Sequence, residues 1–93
     1  MELIPEIMAS GTIRLKSREL HEKYGNGRSG YRIAKDGDLG QGTVYRLIDG
    51  DETYGVTLDT LLGYLIGLGM TREQIGKLTL EELCDISMQS AAK

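Results

Sequence analysis

The sequence predicts an all-α fold, a bundle of about five short helices, and three observations predict it. Leu58, Leu61, Leu62, Leu65 and Ile66 recur at the i, i+3, i+4, i+7, i+8 spacing of a core-facing helical stripe. Thr71-x-x-Gln74 and Thr79-x-x-Glu82 both match the capping-box spacing that opens a helix. Thirteen glycines against a single proline suit short helices separated by glycine turns rather than a proline-rich linker. At 93 residues the chain is read as one domain, too short to supply two independent cores. With no Phe or Trp, the core falls to Leu, Ile, Val, Met and the five Tyr rings.

Taken in order, residues 1–11 lack a clear period and read as an arm or extended lead-in. A helix over 12–24 puts Ile13, Ser17, Leu20 and Tyr24 on one stripe, with Thr12 as its cap and Gly25 as its stop. The alternation Ile13-Arg14-Leu15-Lys16 also reads as the start of a strand. Residues 25–30 form a glycine-rich loop. A short helix over 30–36 buries Ile33 and Ala34, and a turn at 37–40 leads to a second over 41–48 that buries Val44 and Leu47. Residues 51–56 are a polar loop. Thr57 caps the clearest helix, which runs to Leu68 and is stopped by Gly69. Its Gly63 and Gly67 fall on a different face from the leucines, where a neighbouring helix can come close. Two further helices follow the capping boxes, the last lined by Leu80, Leu83, Cys84 and Ser87, and residues 89–93 are expected to fray. The organisation is thus an arm (1–11), a bundle (12–70) and a C-terminal helical extension (71–93) within one domain.

Composition limits the function. Cys84 is the only cysteine, so an internal disulfide framework is excluded, a reducing compartment is expected, and its apolar surroundings make it a buried, inert thiol. The opening residues lack a secretory signal, and no apolar stretch approaches the ~20 residues that span a bilayer, so a cytoplasmic protein with no membrane role is expected. His21 stands alone and reads as a surface histidine, not a metal ligand. Gly25, Gly27 and Gly30 follow no strand and precede no Gly-Lys-Ser/Thr, so they are not a phosphate loop. Asp49, Asp51 and Glu52 lack calcium-loop spacing. No nucleophile–base pair stands out. Neither an enzyme nor any metal or cofactor is expected.

The net charge of −3 speaks weakly against nucleic acid, but its distribution is uneven. Residues 13–35 carry seven bases (Arg14, Lys16, Arg18, Lys23, Arg28, Arg32, Lys35) against Glu19 and Glu22. Residues 36–60 carry six acids (Asp36, Asp38, Asp49, Asp51, Glu52, Asp59) against Arg46 alone. This polarity suits a DNA face and equally suits head-to-tail protein contacts.

The informative stretch is 31–50. Two helices too short to be stable alone are joined by a glycine turn, with the small Ala34 at their crossing and Leu39, Val44 and Leu47 filling the angle. The outer face of the second helix then presents Gln41, Gly42, Thr43, Tyr45 and Arg46, a polar surface nearly free of acids. Gln can pair with adenine, Arg with guanine, and the Thr methyl can meet thymine in the major groove. Ala34, Leu39, Val44 and Leu47, with Asp49-Gly50 after them and Leu58 to Met70 as a fourth helix, make the segment 13–70 resemble the lambda-repressor/Cro-type helix-turn-helix family. The resemblance implies a five-helix bundle acting as a DNA-binding transcriptional regulator. It implies base reading by Gln41, Gly42 and Arg46 with Thr43 and Tyr45 nearby, and phosphate contacts where Ser29, Tyr31 and Arg32 lie, with Arg28 beside them.

The sequence departs from the family pattern in three places. Gly30 stands where Gln is usual, the turn glycine falls one residue early at Gly37 with Asp38 in its slot, and the loop after the recognition helix is acidic. The expected partner is double-stranded DNA, bound by a homodimer on a two-fold-related site, with Leu80, Leu83, Ile86 and Met88 as its dimer surface unless they complete the core. The rival is a protein-interaction module or antitoxin that keeps the scaffold and binds a protein through the Asp51-Glu52 loop.

Overall fold

The computed structural model describes residues 9–51 and 53–90. Most of the expected arm, Glu52 of the acidic loop and residues 91–93 lie outside them. The elements run β1 (Ala9–Leu15), α1 (Ser17–Tyr24), α2 (Gly30–Gly37), α3 (Gln41–Asp49), α4 (Leu58–Gly67), α5 (Arg72–Gly76), α6 (Leu80–Leu83) and β2 (Cys84–Ser90). The described residues are mostly helical, and the all-α expectation fails at the two ends, which pair as a two-stranded antiparallel sheet.

Period-two alternation on both strands produces that sheet. Ile13 faces Ile86, Leu15 faces Cys84 and Gly11 faces Met88, which puts one apolar set on one face; Arg14 opposite Asp85 and Thr12 opposite Ser87 make the other face polar. Arg14 bonds the Asp85 carboxylate and also reaches Glu19 at 3.2 Å. Thr12 is therefore a strand residue and not a helix cap, and α1 begins only at Ser17. The helix expected beyond Thr79 ends after one turn at Leu83, because Cys84-Asp85-Ile86-Ser87-Met88 matches β1 better than it continues a helical stripe. The body end of β1 is tied down by Leu15 N–H on the Thr53 carbonyl (3.1 Å) and Lys16 N–H on the Leu83 carbonyl (2.7 Å).

The interior helices follow the sequence closely. Ser29 Oγ accepts from Arg32 N–H at 3.1 Å to open α2, and Thr57 Oγ1 accepts from Thr60 N–H at 3.2 Å to open α4. Both expected capping boxes are formed: Thr71 with Gln74 at α5, Thr79 with Glu82 at α6.

One core collects Leu15, Leu20, Ile33, Ala34, Val44, Leu47, Tyr64, Leu65, Leu68 and Met70. On α4 the buried stripe is Tyr64, Leu65 and Leu68 with Leu61 half-buried, while Leu58 stands 81% exposed and Leu62 and Ile66 are also exposed. This corrects the expectation that Leu58, Leu62 and Ile66 face inward. The cause is the approach of α2. A Cβ on Gly63 would sit 2.7 Å from the Gly37 carbonyl oxygen, and one on Gly67 would overlap the Ile33 carbonyl. The glycine face of α4 must meet α2, and that rotation carries one line of leucines outward. Tyr64, fully buried, satisfies its hydroxyl by donating to the Ser17 carbonyl at 2.9 Å, and burial pushes its phenol well above the usual range.

Candidate nucleic-acid interface

The unit that positions the candidate site is α2, the turn 38–40 and α3. Asp38 takes the left-handed conformation (φ 57°, ψ 48°) that ends α2, and Leu39 N–H bonds the Ala34 carbonyl at 2.9 Å. Leu39 is thereby folded against the core, and Ala34 lies buried between the helices. Gly37 does not supply the left-handed residue. It is needed for space, since a Cβ there would overlap the Gly63 carbonyl. At the far end Gly50 (φ 81°) closes α3, with Asp51 N–H on the Arg46 carbonyl at 2.8 Å. Two helices of eight and nine residues are thus held at both ends and from below.

On α3, Val44 and Leu47 are buried, Thr43 is half-buried, and Gln41, Gly42, Tyr45 and Arg46 are exposed. Of the face expected from the sequence to point outward, Gln41, Gly42, Tyr45 and Arg46 do so and Thr43 does so only in part. Tyr45 lies across the start of α2: a Cβ on Gly30 would stand 2.6 Å from its ring. That contact explains glycine at position 30. Arg46 turns back along the helix, bringing Nη1 to 3.7 Å from where a Gly42 side chain would begin. Tyr31, on α2, is exposed.

The expected phosphate-contacting group is arranged differently. Ser29 spends its hydroxyl capping α2. Arg32 Nε lies 2.7 Å and Arg28 Nη1 3.0 Å from the same Asp36 oxygen. The Arg32 hydrogen bond, helped by Arg28, holds the Asp36 carboxyl below its ordinary range. The Arg28 guanidinium also lies against Gly69, so it ties the 25–30 loop to both α2 and the end of α4. Asp36 was absent from the sequence-derived site, although its i, i+4 spacing from Arg32 was a legible signal.

His21 is half-buried rather than on the surface, with Nε2 3.1 Å from the Arg28 carbonyl oxygen. Cys84 is also only half-buried; desolvation, with the Asp85 charge adding to it, pushes its thiol up and lowers its thiolate fraction. Among the described residues no helix is long and apolar enough to cross a membrane, and no group of three or more His, Cys, Asp or Glu is placed to hold a metal ion. No protein-family model matches the chain, and neither a curated protein nor a solved structure does.

Proposed function

We propose that this chain is a sequence-specific DNA-binding transcriptional regulator that lays α3 in the major groove. The observation that carries the reading is the outward face of α3: Gln41, Gly42, Tyr45 and Arg46 are exposed, with Asp49 at the last position of the helix as its one exposed acid, on a two-helix unit capped at both ends. In this reading Gln41 and Arg46 read base edges, the Thr43 methyl meets a thymine, and Gly42, with no side chain, lets α3 approach closely. Tyr31, Tyr45 and the start of α2 at Ser29 face the phosphate backbone. Arg28 and Arg32 share the single Asp36 carboxylate in the free protein, which leaves the cluster with one net positive charge. They reach phosphate by exchanging that carboxylate for a phosphate oxygen. A single motif of this size gives limited affinity, so a homodimer on a two-fold-related site is part of the proposal, as is a cytoplasmic location.

Selection of bound sequences from a random duplex library tests it. Arg46→Ala is expected to relax the preference at one base pair of each half-site, a discrimination of ~1–3 kcal/mol for a bidentate guanine contact. Arg32→Ala is expected to weaken binding nearly equally on all sequences. An Arg46→Ala protein that selects the same sequence as the parent would refute base reading by α3.

The second reading, a protein-binding module or antitoxin, draws on Asp49 and Asp51, both exposed at the end of α3. Asp51→Lys separates the two. It strengthens DNA binding and steepens its fall with salt if DNA is the partner, and weakens the complex if a protein is.

A further inference from the structure

A cavity between the sheet and the helices is left unused by the DNA reading. Leu15 from β1, Leu61 from α4 and Leu83 from α6 form its floor, with Thr53 and Cys84 beside them. Leu15 and Thr53 are buried and the other three half-buried, so the floor lies beneath the molecular surface. Ile13, Leu58 and Leu80, each more than half exposed, stand at the mouth. The two strands, the 53–56 loop and two helices together enclose about 370 Å³, at the small end of the ~300–1,000 Å³ of small-molecule sites.

Two features define what fits there. Every described residue that lines the cavity is uncharged, and only Thr53 and Cys84 bring a polar side-chain group. Arg14 and Asp85 on the adjoining strands pair with each other on the opposite face of the sheet. A charged ligand would leave water for walls that offer it no counter-charge, which is costly; an uncharged one meets no such penalty. The second feature is depth. A flat partner surface would rest on Ile13, Leu58 and Leu80 and leave a void above the floor, forfeiting its contacts, whereas a small molecule reaches Leu15 and Thr53.

We propose that this cavity binds a small, uncharged, largely apolar molecule, hydrocarbon or aromatic in character, and that its occupancy bears on α3. Gly55 and Val56 form one wall, and the same two residues line a second hollow together with Thr43 and Arg46 of α3. The bound molecule and the base-reading face thus share one loop, held at its ends by Leu15 N–H on the Thr53 carbonyl and by the Thr57 cap of α4. A ligand that packs better against one position of Val56 than another shifts the loop toward it. This link to α3 rests on the DNA reading; the binding site does not.

Titration of the full chain with N-phenyl-1-naphthylamine, an uncharged aromatic probe that brightens in apolar surroundings, tests the site without DNA. The signal is expected to saturate at one probe per chain. Cys84, the only cysteine in the sequence, locates the probe. Alkylation of its thiol by N-ethylmaleimide is expected to slow at least about fivefold at saturating probe. Leu58→Glu, at an exposed position, is expected to raise the probe's dissociation constant by about fivefold or more while the helical circular dichroism is unchanged. A signal that never saturates, or that saturates while Cys84 is alkylated at its unliganded rate, would overturn the proposal. So would a signal that fades as chain concentration rises at a fixed probe ratio, since a second copy would then already fill the cavity. Duplex affinity with and without the probe is the separate arm. A shift of about threefold or more supports the link to α3, and unchanged affinity with Cys84 protected overturns that link. A chain that binds no duplex and still protects Cys84 overturns the DNA reading, and the link with it, but not the site.

Discussion

Gly37 and Asp38 divide between them what one turn glycine usually does, and the division sets the cost of changing either. Asp38 carries the left-handed conformation, which an L-residue pays ~1–2 kcal/mol to adopt. Gly37 carries the close approach to Gly63. Asp38→Gly is therefore expected to stabilise the fold by ~1 kcal/mol, offset slightly by the greater freedom of glycine in the unfolded chain. Gly37→Ala is expected to destabilise it by more than ~2 kcal/mol, since backbone must move on both helices to admit one methyl group. Urea unfolding of the two variants should shift the midpoint in opposite directions. Shifts of the same sign would mean that the two residues do not divide the turn in this way.

Among elements, α2 and α3 were legible to within a residue because caps, apolar spacing and terminal glycines all agree there. α4 was legible as a helix but not in its rotation. A run of leucines on two lines leaves the facing stripe ambiguous, and the deciding feature, the Gly63–Gly67 face, was visible in the sequence without a stated partner. The strands were the least legible. Cys84-Asp85-Ile86-Ser87-Met88 alternates cleanly, yet neither strand has a local partner, and the pairing joins residues 69 or more positions apart. Of the candidate site, the exposure of α3 could be read from periodicity, whereas the Arg28–Asp36–Arg32 cluster depends on how the 25–30 loop folds back. The rotation of α4 gives a direct check. Leu65→Ala is expected to cost ~2–5 kcal/mol, as for a buried leucine, and Leu62→Ala, at an exposed position, under ~0.5 kcal/mol. Equal losses at the two positions would mean that the leucine line, not the glycine face, meets α2.

At the scale of the whole molecule, carboxylates hold the segments that the apolar core does not. Asp36 fastens the 25–30 loop through Arg32 and Arg28, Glu82 closes the turn that starts α6 by accepting from Thr79, and Asp85 joins β2 to β1 through Arg14. In all three the folded state holds the carboxyl below its ordinary range, so the unfolded chain binds protons more readily as pH falls. Their contribution is complete above the unfolded value near pH 4 and is lost as pH drops through the lower folded values. Cys84 and Tyr64 act at the other limit: burial raises the phenol and, with the Asp85 charge, the thiol. Stability therefore declines from about pH 8.5, where the unfolded thiol ionises first, and further past about pH 10, where the unfolded phenol does. Melting temperature is thus expected to be flat from about pH 5 to 8 and to fall on both sides. Asp85→Asn should lower the plateau and make the acid fall shallower, because one proton-linked contact is already gone, and Tyr64→Phe should remove the part of the alkaline fall above about pH 10. An Asp85→Asn protein with the parental acid profile would show that the sheet is closed by its Ile13–Ile86 face alone.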